Sequence, residues 1–260
     1  MTSERYAPGH SETALDFMRI RSGAIHAGYF LPFLADARRV LDCGCGPGTI
    51  TVDLAEHVPR GSVVGVDREA RQFVGAELLA EERGVQNVSF QQADVYELPF
   101  GEDTFDRVYS NALFEHIADP ARALVELRRV MEPGGVIGVS VPDFGGLVMG
   151  PANSGMEHVT ERYRLLQSRG GGDYYRGRSL GRSLHRAGFG DIRMGARAEV
   201  LQPKLTGELF AEILEPEEPK AAATARAWAL DPDAFFAQIW VEVTATAGAI
   251  ASLELGDVEL

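Results

Sequence analysis

The residues with the clearest chemical purpose lie in one run, Asp42-Cys43-Gly44-Cys45-Gly46-Pro47-Gly48. Gly44 and Gly46 let the backbone come within contact distance of a ligand, because no Cβ stands in the way. A helix opening after the run would favour a carboxylate or another anion, through its unpaired N–H groups and its dipole. Asp67 stands nineteen residues after Gly48. A carboxylate at about that offset, at the end of the next strand, can accept both hydroxyls of a ribose. Asp94 ends a third segment, where it can accept a hydrogen bond from an adenine amine while Val95 supplies a backbone N–H. Each acid alone is an ordinary strand-end residue, but the three in this order and spacing describe a site for an adenosine-bearing cofactor. The glycines run G-x-G-x-G and so depart from the G-x-G-x-x-G dinucleotide fingerprint.

For these residues to converge, each must close a strand of one sheet. Residues 39–43 read as a buried strand entering the glycine run, and 50–57 as the helix leaving it. Residues 62–67 form a second strand. Residues 69–83 form a helix, with Phe73, Val74, Leu78 and Leu79 on one stripe and Gly84 at its end. Residues 88–93, 105–110 and 136–141 give three more strands. A helix over 120–131 begins near Pro120 and is stopped by Pro133-Gly134-Gly135. This alternation implies a parallel sheet covered on both faces, with right-handed connections and ligands beyond the carboxyl ends of the strands. The rhythm breaks after Asp143. Residues 144–178 are rich in Gly, Arg and Tyr and show no clear period. A helix over 179–187, a strand over 191–201, two or three helices over 205–236 and a last strand over 239–246 follow. The segment after Ala247 is weakly patterned.

Composition narrows the class. The chain has 260 residues, ample for a buried core. Its 38 acids against 25 Lys and Arg give a net charge of −13, which speaks against a nucleic-acid binder. The average hides structure: residues 205–260 hold eleven acids and two bases, and residues 162–197 hold nine arginines and two acids. The two cysteines, Cys43 and Cys45, are too close for a structural disulfide and lack zinc spacing, so no metal is expected. No apolar run reaches the length of a membrane span, and residues 1–10 lack an apolar signal core. A cytoplasmic protein is the expectation.

With these residues in hand, the chain resembles the class I S-adenosylmethionine-dependent methyltransferases. Within that class it resembles the branch with the ubiquinone/menaquinone C-methyltransferases and many natural-product methyltransferases. The resemblance rests on Val40 through Gly48, Val66-Asp67, Asp94-Val95 with Leu98-Pro99-Phe100, Phe105-Asp106 and Asn111-Ala112-Leu113-Phe114-Glu115-His116. Asp119-Pro120 and Leu127 through Gly135 complete it, over residues 38–142. It implies an α/β, Rossmann-like doubly wound seven-stranded sheet, with the last strand antiparallel and a helical substrate cap. It also implies one domain over 1–260, with cap helices in 1–37, the cofactor core in 38–142 and cap insertions and edge strands in 143–260. S-adenosylmethionine is the implied cofactor and S-adenosylhomocysteine the product. Gly44 and Gly46, flanked by Asp42 and Cys45, would meet its methionine part. Asp67 would hold the ribose and Arg68 flank the adenine. Asp94 and Val95 would read the adenine edge, and Asn111 would face the sulfonium.

The acceptor side is more open. His116, beside Glu115, is the candidate general base, its alternative being a structural loop residue. His10, His26, His158 and His185 are weaker candidates, and His57 reads as a surface residue. Tyr6, Phe17, Met18, Tyr29 and Phe30 could form one wall of a pocket. Phe144, Met149, Met156, Tyr163, Tyr174 and Tyr175 could form a second, and Phe210, Trp228 and Phe235 a lid. If Arg162, Arg164, Arg176 and Arg178 face its mouth, they would suit a carboxylate or phosphate. The expected acceptor is a small molecule, partly apolar and, if the arginines face the mouth, anionic, methylated at carbon, oxygen or nitrogen. The rival readings are a non-methylating catalyst that uses the same cofactor, such as a cyclase, and a cofactor-binding regulatory subunit. Monomer and homodimer both remain open.

Overall fold

A computed structural model describes residues 4, 6–152 and 154–248. Seven strands make one sheet: β1 (Arg39–Cys43), β2 (Ser62–Asp67), β3 (Val88–Gln92), β4 (Phe105–Asn111), β5 (Met131–Gly150), β6 (Phe189–Leu201) and β7 (Phe235–Ala247). Their order is β3-β2-β1-β4-β5-β7-β6. The pairs among β1 to β5 are parallel, and β7 runs antiparallel to both β5 and β6. This is the seven-stranded α/β sheet with an antiparallel last strand that the family resemblance implied. The order reverses between β1 and β4, so the loops after those two strands open onto the crevice where ligands bind in such sheets.

Local chemistry fixes this arrangement. Val40 and Leu41 are fully buried on opposite faces of β1, as a central parallel strand requires. Asp106 at the start of β4 accepts from the backbone N–H groups of Arg38 and Arg39, which sets the entry of β1. The helices α3 (Thr49–Glu56), α4 (Phe73–Glu82) and α5 (Pro120–Val130) cover the sheet. Asp119 caps α5 by accepting from the Arg122 N–H, Pro120 occupies its first turn, and Arg128 and Arg129 complement its C-terminal end.

Two expectations need correction, and the count of helices over 205–236 resolves to the lower of the two expected. The buried stripe of α4 is Phe73, Ala76 and Ala80, while Val74 and Leu78 are exposed. The small residues win because α4 lies close against the glycine loop and β3. Residues 144–178 are not irregular. β5 continues to Gly150, and α6 (Met156–Arg169) follows. Its buried positions, Met156, Val159, Thr160, Tyr163 and Gln167, have helical spacing, but Thr160 and Gln167 mask it in a hydrophobicity reading. The region 205–236 holds two helices, α8 (Pro203–Leu214) and α9 (Pro219–Ala229). The expectation for residues 249–260 lies outside the described residues.

Beyond Ser140, which pairs with Asn111 at the end of β4, β5 runs on for residues 141–150. Paired with β7 and β6, it forms a ribbon that rises past the carboxyl edge of the parallel strands. The register shifts between Asp143 and Val148. Helices α6, α8 and α9 pack there around their own cluster of Met156, Tyr163, Phe210, Trp228 and Phe236. At the other end of the chain, α1 (Glu12–Arg19) packs on α8, and α2 (Gly23–His26) on α3. The remaining helix, α7 (Leu180–Arg186), precedes β6.

Candidate functional site

The loop between β1 and α3 is held by its neighbours. The N–H groups of Gly44 and Cys45 both donate to the Val66 carbonyl, at 2.8 and 3.0 Å. The Gly46 N–H donates to Asp67 Oδ2 and the Glu69 N–H to Asp67 Oδ1, each at 2.9 Å. The Asp67 carboxylate is thereby oriented and keeps acceptor capacity for a further ligand. Gly46 has φ +52°, and a Cβ there would meet only Gln72 Oε1 at 3.6 Å and Met18 Sδ at 3.7 Å. Gly48 differs: φ is +76°, and a Cβ would stand 2.5 Å from Ala76 Cβ and 2.9 Å from Phe90 Cε1. The first glycine leaves space toward the cavity, and the second lets α4 and β3 close in.

One cavity collects the loop and the ends of β2, β3 and β4. Asp42, Gly44, Cys45, Gly46, Asp67, Arg68, Asp94, Val95, Asn111 and His116 all line it. It encloses about 1220 Å³ of empty space, its open mouth included. Asp42 is 2% exposed and accepts from Thr51 Oγ1 at 2.6 Å, and burial pushes its carboxyl up to about 7. Burial likewise pushes the Cys43 and Cys45 thiols up, which leaves them unreactive. Asp94 Oδ1 accepts from the Tyr96 N–H at 2.9 Å. Asn111 Oδ1 is buried without a partner among the described residues.

The N-terminal segment roofs this cavity with Tyr6, His10, Met18 and Arg21. Arg21 was not singled out in the sequence, and nothing in its surroundings signalled it. Among the described residues it makes no ion pair, and its guanidinium lies over the rings of Phe17 and Trp240 at 5.8 and 5.4 Å. The open space at Gly46, the orphaned Asn111 oxygen and this uncommitted cation fit an adenosine-bearing cofactor that carries a carboxylate.

A second cavity adjoins the first, and Tyr6, Met18, Arg21 and His116 line both. Its wall is aromatic and aliphatic, with Phe17, Phe144, Tyr163, Phe210, Phe236 and Trp240. Of the anticipated wall residues, Tyr29 and Phe30 instead pack with Tyr109 behind β1, Trp228 lies in the cap core, and Phe235 is partly exposed. Gln238 and Trp240 were missed. The signal was present: Phe236, Gln238 and Trp240 alternate on the buried face of β7, with a polar residue where an apolar one belongs.

The arginine segment does not face this mouth. Arg162 pairs with Glu218, Arg164 with Glu161, and Arg178 with Asp143. Arg176 lies near Asp173, and its guanidinium donates to the Phe114 carbonyl. None of the four lines either cavity.

His116 and Glu115 stand at the junction. His116 Nε2 is 3.4 Å from Glu115 Oε1. Glu115 is 1% exposed, and burial pushes its carboxyl up to about 8. Burial, aided by the Arg21 charge, lowers His116 to about 3. The two are therefore a neutral pair at neutral pH and not an ion pair. His116 Nδ1 and Glu115 Oε2 have no partner among the described residues. Of the other histidines, His10 lines the first cavity, His26 is buried 3.2 Å from Glu199, and His57, His158 and His185 are exposed. No group of three or more His, Cys, Asp or Glu among the described residues is placed to hold a metal ion. No helix among them is long and apolar enough to cross a membrane.

Comparison with known proteins gives a consistent result. The family model described as a methyltransferase domain matches residues 34–174. An uncharacterized methyltransferase of Schizosaccharomyces pombe is 40% identical over 115 residues, 42% of this chain and 41% of its own length. A ubiquinone/menaquinone biosynthesis C-methyltransferase of Bdellovibrio bacteriovorus is 35% identical over 115 residues, 42% of this chain and 48% of its own. The chain thus spans less than half the length of these two curated relatives. Among solved structures, the YcgJ protein of Bacillus subtilis superposes with a TM-score of 0.61 at 20% identity. That match covers 84% of this chain and 96% of the other, a likeness of fold.

Proposed function

This chain belongs to the methyltransferase domain family, and from that premise we propose that it transfers a methyl group from S-adenosylmethionine to a small, largely apolar acceptor. The observation that carries the reading is the pair of joined cavities. One is polar and lined by the glycine loop and strand-end acids, the other is aromatic, and four residues are common to both. When bound, the cofactor supplies an activated methyl on its sulfonium, so the protein needs chiefly to bind and align.

The roles follow from position. Gly44 and Gly46, with Asp42 and Cys45 beneath, cradle the methionine part, and Arg21 pairs with its carboxylate. Asp67 accepts from the ribose hydroxyls and Arg68 flanks the adenine. Asp94 and Val95 read the adenine edge, and Asn111 turns its open oxygen to the sulfonium end. His116 stands between the cavities as a neutral imidazole, which positions the acceptor and is a poor base at its depressed basicity. The aromatic wall excludes water and holds the acceptor's apolar body. The relatives' names point to more than one acceptor, including trans-aconitate in Deinococcus radiodurans. The acceptor is therefore assigned here only as a small molecule. Cytoplasmic residence belongs to the same reading, as buried free thiols need no oxidising compartment.

Calorimetric titration with S-adenosylmethionine and S-adenosylhomocysteine tests the proposal. Both should bind, and Asp67→Ala should weaken both by roughly tenfold or more, as loss of charge-assisted bonds requires. Absence of binding by the wild type, or unchanged affinity in Asp67→Ala, would remove the cofactor assignment.

A further inference from the structure

Glu115 is a puzzle under the reading above. A carboxyl group 1% exposed lines the apolar acceptor cavity, yet Oε2 has no partner among the described residues. Its other oxygen meets His116 at 3.4 Å, and His116 reaches into the cofactor cavity. The backbone of Glu115 is well used, its carbonyl accepting from Gln167 Nε2 and from the Asp173 N–H. The side chain is not needed for that. A buried group with an open oxygen is costly unless some state of the protein uses it.

We propose that Glu115 is the counter-charge to the cofactor's sulfonium, losing its proton when the positively charged cofactor enters and not when the neutral thioether product does. This rests on the cofactor reading. The proton leaves to solvent on binding, and the carboxylate then faces the acceptor cavity. In the reaction it takes the proton of a hydroxyl or amine acceptor. The acceptor's heteroatom forms the new bond to the methyl carbon, the S–CH₃ bond breaks with its pair staying on sulfur, and Glu115 ends protonated. Charge balances at each stage: one cation and one carboxylate before transfer, neither after. Glu115 thereby favours the charged cofactor over its own product and opposes product retention.

The surroundings agree. Burial dominates and keeps Glu115 protonated in the empty site up to about 8, although Arg21 and Arg176 both pull the other way. His116 beside it is neutral, and the phenols of Tyr6 and Tyr163 are pushed up by burial, so neither competes for the role near neutral pH. The amide of Gln167 is turned to the backbone. Asp42, which burial raises to about 7 in the cofactor cavity, is a second carboxyl that could lose a proton to a cation, and Glu4, Asp67, Glu69 and Asp94 line that cavity too. The ammonium is common to both cofactor forms, and a Glu115 variant separates Glu115 from these carboxyls.

The test measures protons and not turnover. Calorimetry at pH 7 in phosphate and in Tris gives the number of protons released on binding each cofactor form. S-adenosylmethionine should release close to one more proton than S-adenosylhomocysteine, and Glu115→Gln should abolish the difference. The wild-type ratio of the two affinities should also rise by on the order of tenfold per pH unit from about 6 to 8. Equal proton counts in the wild type, a difference that survives in Glu115→Gln, or a flat affinity ratio would each overturn the proposal. The wild-type ratio decides if the variant fails to fold. If neither form binds, the cofactor reading falls and this inference with it; if both bind alike, this inference alone falls.

Discussion

Adding one methyl group at Gly46 or at Gly48 should have opposite consequences, and the contrast can be worked from the structure. Both glycines have positive φ, +52° and +76°, so alanine at either costs about 1 kcal/mol of backbone strain. At Gly48 the new Cβ also stands 2.5 Å from Ala76 Cβ and 2.9 Å from Phe90, neither of which can swing away freely. Overpacking of that kind adds roughly 1–3 kcal/mol, so Gly48→Ala should lose about 2–4 kcal/mol in all. At roughly 2–4 °C per kcal/mol for a chain of this size, its Tm should fall by about 5–15 °C. At Gly46 the nearest atoms are 3.6 and 3.7 Å away, so only the strain remains and the fall should be about 2–4 °C. The methyl group of Gly46→Ala, however, enters the space assigned to the cofactor. A clash worth roughly 1–3 kcal/mol there weakens S-adenosylhomocysteine by about 5- to 150-fold. Differential scanning fluorimetry and calorimetric titration of both variants give the four numbers. Full cofactor affinity in Gly46→Ala, or wild-type stability in Gly48→Ala, would refute the division of labour between the two glycines.

Three further outcomes are expected. Arg21→Gln should weaken S-adenosylhomocysteine by on the order of tenfold, through loss of one charge-assisted bond, with little change in Tm because Arg21 makes no ion pair among the described residues; calorimetry and a thermal melt report the two. Folding raises the Glu115 pKa from 4.5 to about 8, so its contribution to stability is full at low pH and is lost as pH rises through that window. Relative to Glu115→Gln, the ligand-free wild type should lose up to about 4 kcal/mol between pH 5 and 9, and parallel urea-melt curves against pH would contradict this. Arg164→Ala removes an exposed pair with Glu161, neither of which lines a cavity, so Tm should move by no more than about 2 °C and cofactor affinity not at all.

The half proposed for the cofactor was legible because backbone geometry dictates its residue types. A turn that must admit a ligand needs glycine, a strand end that must hold a ribose needs an acid, and β1 needs Val40 and Leu41 to bury both faces. Sequence order then converts into spatial order through the alternation of strand and helix. The acceptor half gave fewer signals, because its residues are ordinary core residues that happen to border a void. Phe210 and Trp228 look alike in the sequence; one lines the cavity and the other fills the cap. The arginine segment misled for a related reason. Charge density along the chain says nothing about partners contributed from elsewhere, and Glu218 and Asp143 come from other elements. Arg21 became visible only as a cation that lines both cavities without such a partner among the described residues.

The ribbon of β5 and β7 that rises above the parallel sheet has a consequence for how the molecule assembles and breathes. Among the five parallel strands three of the four pairings join consecutive strands, and only β1 with β4 skips two, whereas in the ribbon β5 meets β7 across all of α6 to α9. Such distant pairing is slow and late, since the loop must close before any contact rewards it. The cap also has its own hydrophobic cluster, and besides that ribbon it meets the rest of the molecule where α1 packs on α8 and where Gln167 and Asp173 donate to the Glu115 carbonyl. It is therefore suited to open as one cooperative unit while the glycine loop stays folded beneath it. Amide protons of α6, α8 and α9 should then exchange together, and sooner than those of β1 and β4. The upper cavity would thus be a transient room, rebuilt each time the ribbon closes, above a floor that seldom moves.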